Sequence, residues 1–226
     1  MSQQPTSYNR RPKLKVCGLT KLDQIEELIS LKVDFVGFIF YEKSHRYVLN
    51  ALTLEEIKAI KHSGKVGVFV NESLEQILEI SEKAKLNFIQ LHGDESDEYI
   101  SELRNKLDAE IEIIKVIRIG NHSKDEIQKT INYQPSTINY LLFDTDSKSF
   151  GGTGKSFDWQ ILNNLEINKP YFLSGGISEE NIENIKLLKQ KPFALDLNSK
   201  FEIEPGNKNI DKIVSFKNKL SRKTTR

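Results

Sequence analysis

The sequence predicts an α/β fold, a single-domain (β/α)8 TIM barrel, and three observations lead there. Short apolar runs rich in Val, Ile and Phe recur along the 226 residues. Most are nearly continuous rather than alternating, which is how strands covered on both faces read. Each is followed by a polar stretch with apolar residues three and four apart, the signature of an amphipathic helix. Strand and helix units in alternation imply a parallel sheet, and one closed barrel commonly occupies about 200–250 residues. An open doubly wound sheet is the alternative arrangement.

The chain opens on a polar stretch, 1–12, that ends in Arg10-Arg11-Pro12 and lacks the apolar core of a signal peptide. It reads as a disordered extension, with the barrel over 13–220 and a loose tail at 221–226. The first strand, 14–17, is Leu-Lys-Val-Cys and closes on Gly18. The second, 35–40, is Phe-Val-Gly-Phe-Ile-Phe, running into a charged loop. The third, 66–70, is Val-Gly-Val-Phe-Val, and the helix behind it carries Leu74, Ile77, Leu78 and Ile80 ahead of Glu82-Lys83. The fourth (88–91) and fifth (111–117) are Phe- and Ile-rich. The sixth, 140–143, leads to Asp144 and a glycine-rich loop. The seventh, 171–173, precedes Ser174-Gly175-Gly176. A helix is expected from Ser178, because Glu179 and Glu180 suit its positive end. The eighth, 193–197, ends at Asn198-Ser199. No linker or exact repeat divides the chain.

Acidic and basic residues nearly cancel, with a formal net charge of +1. That balance offers no electrostatic footprint for nucleic acid and no polybasic membrane patch. No apolar run reaches the ~18 residues of a membrane span. The lone cysteine, Cys17, can form neither an internal disulfide nor a multi-cysteine metal site. The cytoplasm, which keeps such a thiol reduced, is the expected compartment.

In a parallel barrel the chemistry lies at the C-terminal strand ends, and polar residues concentrate there. Cys17 ends strand one, His92 follows strand four, Asp144 follows strand six, and Asp196 lies in strand eight. Backbone at Gly175 and Gly176 can approach a ligand closely, and loops seven and eight are the frequent phosphate site of such barrels. Asn198, Ser199 and Lys200 complete that expected site. The stretch 151–156 (Gly-Gly-Thr-Gly-Lys-Ser) is not a P-loop, since that pattern needs Gly at 149, where Ser stands. Gly151, Gly152 and Gly154 instead suit a lid. Four histidines without ligand spacing argue against a metal. Asp144, at the edge of a low-dielectric cavity, is expected to have a raised pKa and to serve as a proton donor.

The motifs, taken in order, resemble those of phosphoribosylanthranilate isomerase of tryptophan biosynthesis. They are Lys-Val-Cys-Gly-Leu-Thr at 15–20, Gly-Phe-Ile-Phe-Tyr-Glu-Lys-Ser-His-Arg-Tyr-Val at 37–48, Val-Gly-Val-Phe-Val-Asn at 66–71, and Gln-Leu-His-Gly-Asp-Glu at 90–95. Asp144-Thr145 follows, then Gly-Gly-Thr-Gly-Lys-Ser-Phe-Asp-Trp at 151–159. Leu-Ser-Gly-Gly-Ile-Ser-Glu-Glu-Asn at 173–181 and Asp-Leu-Asn-Ser-Lys-Phe-Glu at 196–202 close the series, with Pro205-Gly206 behind. The resemblance spans about 15–212. It implies an Amadori rearrangement of N-(5-phosphoribosyl)anthranilate to 1-(2-carboxyphenylamino)-1-deoxyribulose 5-phosphate, needing no cofactor. It further implies Asp144 as general acid, Cys17 as general base, and Arg46 as the partner of the anthranilate carboxylate. His92 and Asp196 are expected to line the substrate pocket.

The chain departs from the family pattern at Glu42, at His45, and at Lys200, where many members have Gly. Lys200 puts a positive φ in doubt at that turn. The acid and base roles imply a raised Asp144 and a depressed Cys17 pKa. Rival readings are another phosphate barrel, such as indole-glycerol-phosphate synthase or a sugar-phosphate isomerase, and a non-catalytic binder of a phosphorylated ligand. The partner is a small phosphorylated molecule in each case, and the chain is expected to be a monomer or homodimer.

Overall fold

The computed structural model describes residues 11–120, 122–146 and 157–221. Eight parallel strands close into a barrel in sequential order. They are β1 (Lys13–Val16), β2 (Phe35–Ile39), β3 (Lys65–Phe69), β4 (Phe88–Leu91), β5 (Glu112–Ile119), β6 (Tyr140–Thr145), β7 (Tyr171–Leu173) and β8 (Ala194–Leu197). Closure is made at β1, where Lys15 registers with Phe35 on one side and Asp196 on the other. That ring excludes the doubly wound alternative.

Helices α1 (Leu22–Ser30), α2 (Leu54–Ala59), α3 (Leu74–Lys83), α4 (Asp97–Lys106) and α5 (Lys124–Asn132) back the first five strands. Four start on a side-chain cap. Thr53 and Ser123 form capping boxes with Glu56 and Glu126, while Ser73 and Ser96 accept from the Gln76 and Tyr99 amides. Each cap satisfies an otherwise unpaired N–H of the first turn.

The wall changes after β6. There, and after β7, the described residues form 3₁₀ segments, Trp159–Asn164 and Ile182–Leu187, in place of the expected α-helices. The helix expected from Ser178 does not form. Asn181 folds back instead: its Oδ1 accepts from the Ser178 amide at 2.9 Å, and its Nδ2 donates to the Gly176 carbonyl at 2.8 Å. That local alternative occupies the residues that would have made a first helical turn. Past β8 a 3₁₀ turn (Ser199–Phe201) leads into a small hairpin, β9 (Glu202–Glu204) and β10 (Asn207–Lys208), and then α6 (Ile210–Ser221). The hairpin was not expected, although Pro205-Gly206 marks its turn. Ser221 ends α6 rather than opening a tail, and Arg11 donates to its hydroxyl.

Alternation along the strands sorts the side chains. Leu14, Val36, Phe38, Leu141, Phe143 and Leu195 face outward into the core beneath the helices. Phe35, Val66, Val68, Phe88, Ile114, Val116, Leu142 and Phe172 fill the barrel interior. At the N-terminal ends, Phe35, Phe88, Tyr140, Phe172 and Phe193 close the floor with ring centroids 4.9–6.2 Å apart. With that end plugged by aromatic rings, polar interior side chains lie toward the other.

Candidate active site

Polar groups collect at the C-terminal end in an open cleft. Cys17, Arg46, His92, Asp144, Gly175, Gly176, Asp196, Asn198, Ser199 and Lys200 all line it, so the structure brings together every site residue predicted within the described chain. Gly151, Gly152 and Gly154, the expected lid, lie outside the described residues. Among the described residues, no three His, Cys, Asp or Glu side chains group as a metal would require.

Cys17 lies one residue beyond β1 and is buried. Gly37 of β2 makes room for it: a Cβ at 37 would sit 2.9 Å from the thiol sulfur and 3.0 Å from the Cys17 Cα. Lys15, two residues earlier on the same face, is fully buried. Its ammonium reaches Asp196 Oδ2 at 2.9 Å and Gln90 Oε1 at 2.7 Å. Burial works against this charge, but Asp196 and Cys17 outweigh it and hold Lys15 above its ordinary pKa. Sequence reasoning had not assigned Lys15 or Gln90 a role.

The expected depression of the thiol does not occur. Burial pushes Cys17 up; Lys15 and Lys208 pull the other way, and Asp196 adds to the rise. A sulfur enclosed by strands loses more hydration than nearby ammonium groups restore.

Asp144 conforms to expectation. Burial raises its carboxyl to about 6, against hydrogen bonds from the Thr145 amide and the Ser174 hydroxyl. The Thr145 N–H meets Oδ1 at 2.8 Å, and His92 Nε2 stands 3.5 Å from Oδ2. Burial first, then Lys15, Arg118 and Lys115, lower His92 to about 3, so its ring is neutral.

Arg46 lines the cleft but is not a free clamp. Its Nε and Nη2 hold Glu202 of β9 at 2.6–3.0 Å, and Lys208 Nζ meets the same carboxylate at 2.6 Å. Burial disfavours the Glu202 charge, yet Arg46 and Lys208 hold its carboxyl below the ordinary range. Lys208 also donates to Asn198 Oδ1 at 2.9 Å, which ties the 198–200 turn to the same cluster. The β9–β10 hairpin is therefore a buttress for the arginine. Only the Pro-Gly turn signalled it in the sequence.

The two glycines after β7 both take positive φ, +81° at Gly175 and +68° at Gly176. A Cβ at Gly175 would meet Thr145 Oγ1 at 2.4 Å. Their N–H groups donate to no backbone acceptor among the described residues. Lys200 needs no positive φ, because its turn is 3₁₀. The helix N-terminus expected behind the glycines is absent, so any anion there meets loop amides rather than a helix dipole.

The chain is similar to known proteins in sequence and in fold. The family model described as N-(5′-phosphoribosyl)anthranilate (PRA) isomerase matches residues 14–219. A Parabacteroides distasonis protein of that name is 41% identical over 206 residues, covering 90% of each chain. The crystal structure of phosphoribosyl anthranilate isomerase from Thermotoga maritima superposes with a TM-score of 0.75 at 31% identity, covering 92% of this chain and 98% of that one. Another structure, of the isomerase in complex with reduced 1-(o-carboxyphenylamino)-1-deoxyribulose 5-phosphate, superposes with a TM-score of 0.71 at 29% identity, covering 91% and 96%.

Proposed function

The chain belongs to the N-(5′-phosphoribosyl)anthranilate isomerase family, an enzyme family of tryptophan biosynthesis, and on that premise we propose which of its residues move the protons. One observation carries the assignment: a thiol at the end of β1 and a carboxyl of raised pKa on β6 face one cleft. Asp144 gives its proton to the ribose ring oxygen. The C1–O bond breaks, and the anthranilate nitrogen supplies the electrons that form the iminium. Cys17, as thiolate, takes the proton from C2. The C–H electrons form the C1=C2 bond and neutralise the iminium nitrogen, leaving an enolamine that tautomerises to the ketone. The substrate supplies its own electron sink.

Binding follows from the same geometry. The Arg46 guanidinium, with its remaining donors, pairs the anthranilate carboxylate. The amides of Gly175, Gly176 and 198–200 hold the phosphate. Asp196 Oδ1 is buried without a partner among the described residues, which supports an acceptor role for a sugar hydroxyl. All these groups come from one chain, so a monomer or a homodimer carries a complete site. The cytoplasm keeps Cys17 reduced, and no helix among the described residues is long and apolar enough to cross a membrane.

The test is turnover of freshly made N-(5′-phosphoribosyl)anthranilate, followed as loss of anthranilate-type fluorescence. Cys17→Ser and Asp144→Asn should each fold normally and lose roughly 10²-fold or more of kcat. Near-normal turnover by either variant removes that residue from the mechanism.

A further inference from the structure

A line of hydrogen bonds joins the base side of the cleft to the acid side, and its direction is set at one end. Lys15 Nζ has only protons to offer, so the Gln90 atom that meets it at 2.7 Å must be the amide oxygen. The Gln90 NH2 then faces the other way, where it meets His92 Nδ1 at 3.0 Å. A ring nitrogen that accepts a hydrogen bond carries no proton, so a neutral His92 holds its proton on Nε2. That nitrogen faces Asp144 Oδ2.

We propose that Lys15 and Gln90 are positioning residues that lock His92 in the Nε2–H tautomer, so that the ring donates toward Asp144 and cannot accept the proton Asp144 delivers to substrate. This rests on the reading of Asp144 as the acid. In the opposite tautomer the Nε2 lone pair would face Oδ2 and compete with the ribose oxygen for the carboxylic proton. In the locked tautomer the N–H instead favours the carboxylate left after proton transfer. The surroundings keep the ring neutral. Lys15, Lys115 and Arg118 place positive charge around it, Asp196 is occupied by Lys15, and Asp144 is the carboxylate facing Nε2. With Lys15 paired to Asp196 inside the barrel, reversing Gln90 would set an amide NH2 against an ammonium.

The tautomer is directly readable. In protein labelled with 15N-histidine, four rings contribute (His45, His62, His92 and His122), and His92→Asn assigns the one of interest. At neutral pH the His92 Nδ1 should show the shift of an unprotonated nitrogen and Nε2 that of a protonated one. A wild-type ring protonated on Nδ1 overturns the proposal, with no variant needed. Gln90→Glu keeps the shape and the acceptor for Lys15 but has no proton for His92. Its Nδ1 should become protonated, and kcat should fall roughly tenfold or more while KM stays within about twofold. A changed tautomer with unchanged kcat refutes the functional link, and an unchanged tautomer refutes the lock. Asp144→Asn separates the two readings. If that variant is inactive while wild-type His92 is Nδ1–H, the acid stands and the lock falls. Full activity in Asp144→Asn removes both.

Discussion

The pH dependence of kcat/KM follows from two pKa values that lie in the reverse of the useful order. Catalysis needs a thiolate at Cys17 and a protonated Asp144. Yet Asp144 titrates at about 6, while burial lifts Cys17 above its ordinary 9.0. As pH rises, the carboxyl loses its proton first. The productive form, thiolate with carboxylic acid, carries the same number of protons as the dominant thiol with carboxylate. Its population therefore tracks that dominant form and is flat from about 6 to above 9. With the two groups in that order, the productive state is a small minority of the free enzyme. The profile should be a broad bell, with an acid limb near pH 6 owed to Asp144 and an alkaline limb above pH 9 owed to Cys17. The fluorescence assay at low substrate concentration, with controls for substrate decay at each pH, gives the curve. In Asp144→Asn the break near pH 6 should disappear, and the residual activity should climb with pH toward the Cys17 titration. An alkaline limb well below pH 9, or an acid limb near 6 that survives in Asp144→Asn, refutes the assignment.

Further outcomes are expected elsewhere in the site. Arg46→Ala should raise KM, losing about 2–4 kcal/mol of binding from a charge-assisted contact; wild-type kcat/KM in a normally folded variant refutes the clamp. Glu202→Gln leaves the buried Lys208 and the partly buried Arg46 facing an amide, and should cost about 3–5 kcal/mol in urea unfolding. Because Arg46 and Lys208 hold the Glu202 carboxyl low, its stabilisation is complete above the ordinary carboxylate pKa and vanishes as pH falls through the folded value. The variant should therefore show a shallower acid destabilisation than wild type. Gly37→Ala pushes a methyl group against Cys17, with a cost of about 1–3 kcal/mol and a matching loss of kcat. A crystal grown with sulfate should hold the anion between Gly175-Gly176 and the 198–200 turn; an anion at 151–156 refutes that phosphate site.

The barrel was legible because its evidence is local and repeated: apolar strands, then amphipathic helices, in a chain of suitable length. The cleft was legible because strand ends are easy to locate and Cys17, His92 and Asp144 stand at them. Lys15 and Gln90 escaped notice for the opposite reason. Each lies inside an apolar run, and their partners come from strands 75 and 181 residues away. A lysine between Leu14 and Val16 was the available signal. Glu202 meets Arg46 across 156 residues, a pairing no periodicity encodes. The missing helix after β7 turned on Asn181, whose side chain closes onto its own loop.

Those two replaced helices divide the barrel mechanically. The strands that carry Cys17, Arg46 and His92 or feed their loops are backed by α-helices. Among the described residues, β6, which carries Asp144, and β7, which leads to the paired glycines, are followed by 3₁₀ turns. Such turns have poorer hydrogen-bond geometry and little cooperativity, so their amides exchange with solvent at lower opening free energies than α-helical ones. One side of the cleft is thus a stiff anvil holding the base, and the other a compliant jaw holding the acid and the phosphate loop. That compliant side can yield as substrate enters and product leaves while the thiol and its lysine stay in register.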